Sequence, residues 1–187
     1  MVSVEVLLED EGANALVGWF AIGTMLLVAG LSVRWTAYLW GCFAVVTAVT
    51  AALPPIATRD WKCMVPWSLL VAAAAALLAG AVWPVVEMAS FVVITLLAVL
   101  VVAEVVAFTP VEMSVRFAVA FAVLTALAVE AVWAVGQYYS DLWWETTFLQ
   151  SQTELQWDFV LVTVVALVIG SIVRWLGYFE TPGGSSA

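Results

Sequence analysis

The chain contains no histidine, a single lysine, two cysteines, and only 5 basic residues against 14 acidic ones. Each shortage closes off a class of chemistry. Without histidine there is no His-ligated zinc, no His-ligated haem, and no Ser-His or Cys-His catalytic pair. Lys62 follows no glycine-rich loop, so there is no Walker A phosphate site. No lysine lies in an apolar stretch where a retinal-type Schiff base would form. Cys42 and Cys63 make no CxxC pair, so neither a metal knuckle nor a redox motif is present. Their separation and different depths argue against a disulfide, and Cys42 is expected to be a small buried hydrophobe. A net charge of −9 excludes the basic face that nucleic acid requires. It also leaves no polybasic patch for anionic lipid. The chain is therefore expected to be no enzyme, to hold no cofactor or metal, and to bind no nucleic acid.

What is abundant is apolar length. Of the 187 residues, 66% are hydrophobic, against the ~45–50% usual in soluble domains. Trp19–Val33, Trp35–Thr58, Cys63–Val86, Met88–Ala103 and Phe159–Val173 carry no charged side chain. A run of about 18 such residues crosses the ~30 Å hydrocarbon layer as a helix. The pattern predicts an all-α fold, an integral membrane six-helix bundle. Its helices are expected at about Asn14–Val33, Trp35–Ala57, Pro66–Trp83, Met88–Phe108, Val115–Gln137 and Trp157–Tyr178, with a short break at Trp83-Pro84 between the third and fourth. Residues 1–13 form an acidic N-terminal segment without the basic start of a signal peptide, so the first span is expected to stay in the mature protein. Residues 14–178 form the transmembrane domain, and residues 179–187 form a flexible tail.

Loop charge orients the bundle. Arg59, Lys62, Arg116 and Arg174 fall on the side of both termini, and only Arg34 falls on the other. The positive-inside rule then puts both termini in the cytoplasm, in a multi-pass protein of the cell (plasma) membrane. Eleven tryptophans are present. Trp35, Trp61, Trp67, Trp83, Trp143, Trp144, Trp157 and Trp175 lie near helix ends, as an interfacial aromatic belt requires.

Helices in lipid associate through close packing, which small residues at four-residue spacing permit. Ala44, Ala48 and Ala52 offer this on the second helix, and Ala72, Ala76 and Gly80 on the third. The fifth offers Ala118, Ala122 and Ala126, then Glu130 and Ala134. The partners implied are the bilayer and either another membrane protein or a second copy of the chain.

Two carboxyls lie inside the expected spans, where an ionisable group is costly and is a functional candidate. Glu130 continues the alanine stripe, so it should face other helices. It has two readings: a neutral carboxyl donating a structural hydrogen bond, or a group that loads a proton or cation. Glu104 lies near the inner end of the fourth helix, level with Arg116, and a salt bridge between them is expected. Glu112 competes for Arg116 at i,i+4 spacing. Glu104 and Glu130 are separated by roughly 14 Å along the membrane normal, too far to act as one dyad.

Residues 138–156 read YYSDLWWETTFLQSQTELQ and form the one long connection. Leu142, Trp143, Trp144, Phe148 and Leu149 suit either a short interfacial helix or a solvated linker with aromatic anchors. Gly30-Leu31-Ser32-Val33-Arg34-Trp35-Thr36-Ala37-Tyr38 and Gly170-Ser171-Ile172-Val173-Arg174-Trp175-Leu176-Gly177-Tyr178 share G-x-x-V-R-W-x-x-Y. This is either an echo of inverted three-helix halves or two helix ends anchored by Arg and Trp.

Few lysines, many Ala and Val, and acidic loops resemble the proteome style of extreme halophiles, with a high-GC bacterium as the alternative source. Thr58-Arg59-Asp60-Trp61, Pro66-Trp67 and Arg174-Trp175 resemble small polytopic membrane proteins of haloarchaea. The resemblance covers little of the chain and implies no activity. Two functions fit: an accessory or assembly subunit acting through helix packing, or a small secondary transporter or channel for protons or cations using Glu130 and Glu104.

Overall fold

A computed structural model of the chain describes residues 11–82, 86–111, 113–148 and 151–175. The acidic N-terminal stretch before Glu11, the Trp83-Pro84 break, Glu112 and the tail from residue 176 lie outside the described residues. Every regular element is helical: α1 Glu11–Arg34, α2 Tyr38–Thr58, α3 Trp67–Val82, α4 Val86–Phe108, α5 Val115–Trp144 and α6 Gln152–Trp175. Five of the six are long and apolar enough to cross a membrane, and α3, at 16 residues, is shorter.

The chain divides into two compact units, Met1–Ala89 and Ser90–Ala187. In the first, α1 packs against both α2 and α3. Side chains near helix ends tie it together. Asn14 on α1 accepts from the Trp67 amide at 2.7 Å and donates to the Val65 carbonyl at 3.3 Å, which fixes the start of α3. The Trp19 indole donates to the Trp61 carbonyl at 3.1 Å. Gly18 leaves the space that Met64 and Leu70 occupy. Gly80 on α3 leaves the space for the Trp40 ring of α2, whose indole N–H donates to the Leu77 carbonyl at 3.3 Å.

Helix α2 carries Pro54 and Pro55 in its last turns and ends at Arg59 in the left-handed conformation, φ 56°. Proline removes amide donors, and in lipid the backbone groups must find partners within the protein. The carbonyls that lose their helical donors are those of Thr50 and Ala51, while the Thr58 hydroxyl makes an i−4 back-bond to the Pro54 carbonyl at 2.8 Å.

The second unit contains most of α4 with α5 and α6, and α5 packs along α6. From Val93 to Ala103, nearly every α4 side chain is buried. A helix that is apolar all round is suited to such a position. Ser114 starts α5 as its N-cap, its hydroxyl accepting from the Phe117 amide at 3.3 Å.

Three expectations are corrected. The fifth helix runs on to Trp144, so residues 138–144 are neither linker nor a separate interfacial helix. Nothing between Gln137 and Trp144 breaks a helix, and the end comes at Glu145, φ 54°. On α3 the buried face is Leu69, Leu70, Ala73, Ala74, Leu77 and Gly80, while Ala72 is exposed. Cys42 is exposed on α2 rather than buried. The Ala44, Ala48 and Ala52 stripe of α2 is buried as expected.

Candidate functional site

The site is set by the α5–α6 seam. Ala118, Ala122, Ala126, Glu130 and Ala134 are all buried along one face of α5. On α6 the matching face is Val162, Ala166, Gly170 and Val173. A Cβ on Gly170 would lie 3.2 Å from the Val119 side chain, so the backbones approach closely there. That contact sets the antiparallel register. Eleven residues along α5 from Val119 is Glu130, and eleven residues back along α6 from Gly170 is Phe159. Asp158 precedes it, which puts a second carboxyl within one residue of that level.

Glu130 is 1% exposed, and its Oε2 has no hydrogen-bond partner. The hydrogen bond to a neighbouring hydroxyl that a structural role would need is not made at that oxygen. Thr163, one turn further along α6, donates its hydroxyl to its own helix, to the Phe159 carbonyl at 2.7 Å. Along α5, Arg116 is fourteen residues away, about 21 Å by helical rise. Along α6, Arg174 is sixteen residues from Asp158, about 24 Å.

Depth is another finding. Trp157 and Trp175 are strongly exposed and lie eighteen residues apart on α6, about 27 Å by helical rise and close to one hydrocarbon thickness. Glu130, level with Phe159, therefore lies about 3 Å inside the Trp157 level. It is central in a 30-residue helix yet close to one membrane face, because α5 extends beyond the start of α6.

Glu104 lies on α4, four residues from its end, with a buried Oε1 that has no partner. The expected ion pair with Arg116 is not formed. Arg116 is exposed, two residues before Ala118. That is a rotation of about 200°, which turns the guanidinium away from the buried stripe. The structure thus does not bring Glu104, Glu130 and Arg116 together.

Two polar groups were not singled out from the sequence, Asp158 on α6 and Thr95 on α4. Asp158 falls at the start of the expected sixth helix, and its position one residue after Trp157 and before the apolar run was available as a signal. Thr95 on α4 is 1% exposed, and its Oγ1 has no partner. A threonine in an apolar helix usually bonds back to its own carbonyls, so nothing in the sequence distinguished it.

At the open end of the seam, Asp141 accepts from the Thr146 hydroxyl at 2.6 Å and the Phe148 amide at 2.9 Å. The Thr146 hydroxyl oxygen also lies 3.0 Å from the hydroxyl of the buried Ser140. These bonds fold the connection back onto the end of α5. Their geometry is that of a turn tied to a helix end.

Residues 3–64 match the model of a domain of unknown function, DUF8268. The match covers a third of the chain: α1, α2 and the start of the connection to α3, which Asn14 and Trp19 hold from further on. The curated proteins and the solved structures give no match. The class these observations define is a multi-helix membrane protein whose first third is similar to a domain of unknown function.

Proposed function

We propose that this chain is a non-enzymatic, multi-spanning protein of the cell membrane that acts through helix packing, as an accessory or assembly subunit. The observation that supports it is the content of the buried faces. Apart from Glu130, the buried polar residues among those described are hydroxyls: Ser32, Thr47, Ser90, Thr95 and Ser140. Ser32 and Thr47 donate to their own helix, to the Val28 and Phe43 carbonyls. The rest is mainly alanine, glycine and branched aliphatics that let helices approach, with Met25, Trp40, Phe43, Met64, Phe91 and Trp133 among them. The four-to-one distribution of basic residues supports cytoplasmic termini. The partner is another membrane protein or a second copy of this chain. Purification from the native membrane in mild detergent, with cross-linking and mass spectrometry, tests this. A stoichiometric protein partner is expected, and recovery with lipid alone overturns the reading.

The unpartnered Glu130 Oε2 favours a second reading, a small transporter or channel for protons or cations in which Glu130 handles the ion and Glu104 is a further station. Flux in liposomes tests it. Wild-type flux that is unchanged in Glu130→Gln removes Glu130 from the path.

A further inference from the structure

The connection between α2 and α3 holds two of the chain's five basic residues, Arg59 and Lys62, three positions apart and both exposed. Its backbone is tied at several points. Arg59 ends α2 in the left-handed conformation. The Thr58 hydroxyl accepts from the Asp60 amide at 3.4 Å, and the Asp60 carboxylate accepts from the Lys62 amide at 3.0 Å. The Asp60 carbonyl accepts from the Cys63 amide at 3.1 Å. Trp19, bonded to the Trp61 carbonyl, and Asn14, bonded at Val65 and Trp67, then hold the connection against α1. Because α1 begins at Glu11, these anchors lie three to eight residues inside it, about 5–12 Å by helical rise. The turn therefore lies back along the membrane end of α1, at the depth of the lipid headgroups.

Neither cation is neutralised there. Among the described residues Arg59 makes no ion pair, and Lys62 makes only a cation–π contact, its Nζ 5.7 Å from the centre of the Trp61 ring. Asp60, between them, has turned its carboxylate to the backbone. Trp61 and Trp19 are partly exposed beside these charges. Long cationic side chains next to indoles suit the layer where phosphates meet acyl chains.

We infer that the Arg59–Lys62 turn docks the headgroup of one anionic phospholipid, with both cations on its phosphate and the Trp61 and Trp19 rings against its glycerol and upper acyl chains. Charge complementarity selects this occupant. A phosphate takes the guanidinium as a fork and the ammonium as a point charge. In a zwitterionic lipid the phosphate is partly neutralised by its own ammonium group, so the turn favours lipids without one. Two cations are no polybasic patch that draws a protein to a membrane. A chain already in the bilayer needs only the local match. The rival counter-charges are the chain's own, Glu11 and the acidic residues ahead of it. The site involves neither Glu130 nor a protein partner, so it stands with either function proposed above.

The test uses the full chain in mild detergent, titrated with phosphatidylglycerol or phosphatidylcholine of identical acyl chains. Native mass spectrometry counts the lipids that stay bound. Wild type is expected to retain one phosphatidylglycerol at least about threefold more than phosphatidylcholine, a preference that shrinks as ammonium acetate is raised. Arg59→Gln with Lys62→Gln should abolish the preference. Lys62→Gln alone, which leaves every backbone bond of the turn in place, should weaken it. Arg34→Gln, at the other end of α1, should leave it intact. Inorganic phosphate at millimolar concentration should not displace the lipid, because it offers the indoles nothing apolar. Displacement would make the turn a bare anion site and overturn the lipid assignment. Equal retention of the two lipids by wild type overturns it too, as when the chain's own carboxylates hold the two cations. So does a preference that survives in a double variant eluting as wild type.

Discussion

Gly80→Ala places a methyl group where the Trp40 ring already lies. The new Cβ would be 2.4 Å from Cζ2 and 2.9 Å from Cη2 of that ring, and 3.0 Å from the Ala89 Cβ. The ring cannot simply swing aside. It is buried, its N–H is bonded to the Leu77 carbonyl at 3.3 Å, and Phe43 packs at 6.2 Å between centroids. Overpacking of this kind costs about 1–3 kcal/mol. Losing the indole hydrogen bond adds about 1 kcal/mol. Alanine returns about 1 kcal/mol through its greater helix propensity. The net expectation is a loss of about 1–3 kcal/mol, and a 2 kcal/mol loss is roughly a 30-fold shift in the folding equilibrium. Gly23→Ala is the internal control, because nothing lies within 4 Å of its added Cβ. It should be neutral or stabilising by up to about 1 kcal/mol. Denaturation in mixed micelles, followed by tryptophan fluorescence or by protection of a buried cysteine introduced into α3, measures both. Trp40→Phe should recover part of the Gly80→Ala loss, a coupling of about 0.5–3 kcal/mol in a double-mutant cycle. If Gly80→Ala is as stable as Gly23→Ala, the α2–α3 packing described above is refuted.

Asn14→Leu removes both bonds to the Val65–Trp67 segment. It should cost about 1–3 kcal/mol and expose the 59–66 connection to protease, and unchanged cleavage there would count against the clasp. Asp141→Ala removes the acceptor that holds Thr146 and Phe148. Hydrogen exchange at the Phe148 amide should speed up by roughly 10-fold, for a loss of about 1–2 kcal/mol, with little change in α5 itself. A membrane-impermeant maleimide should label Cys63, beside Lys62, in inside-out vesicles and not in right-side-out ones. Cys42, which is exposed on α2 towards lipid, should resist it in both. Labelling of Cys63 from outside would reverse the assigned orientation.

Helix positions were legible because charge-free runs and helix ends coincide in a membrane chain. Arg34, Phe108 and Val115 fall at or within one residue of observed boundaries for this reason. What the runs do not encode is phase. Residues 72–76 of α3 are all alanine, so spacing alone selects no face. The face that is buried is chosen by the neighbours, with Leu70 against Gly18 of α1 and Gly80 against the Trp40 ring of α2. The α5 stripe was legible because one glutamate broke an otherwise uniform alanine ladder. Asp158 was not, because its proximity to Glu130 depends on interhelix register. That register is set by Gly170, eleven positions beyond Phe159 and silent in any single-helix pattern. The echo around Arg34-Trp35 and Arg174-Trp175 also changes meaning. It joins the first helix of one unit to the last helix of the other, positions that duplicated three-helix units would not equate. The strong exposure of both Trp35 and Trp175 suits anchoring at an interface instead.

The depth of Glu130 narrows what it can do. A carboxyl about 3 Å inside the Trp157 level exchanges protons or ions with one aqueous face at far lower cost than one at mid-bilayer. For the same reason it cannot carry an ion across unaided. Glu104, the next carboxyl along the unit, is on the order of 15 Å away along the normal, and Val99, Leu100, Val102 and Ala103 on α4 are buried in that interval. Crossing it requires water to enter between the helices. A site that only binds requires no such opening. It would instead couple the α5–α6 seam to ion or proton concentration at one face, which is a property an assembly subunit can use without transporting anything. Flux in liposomes that is lost in Glu130→Gln would select transport instead.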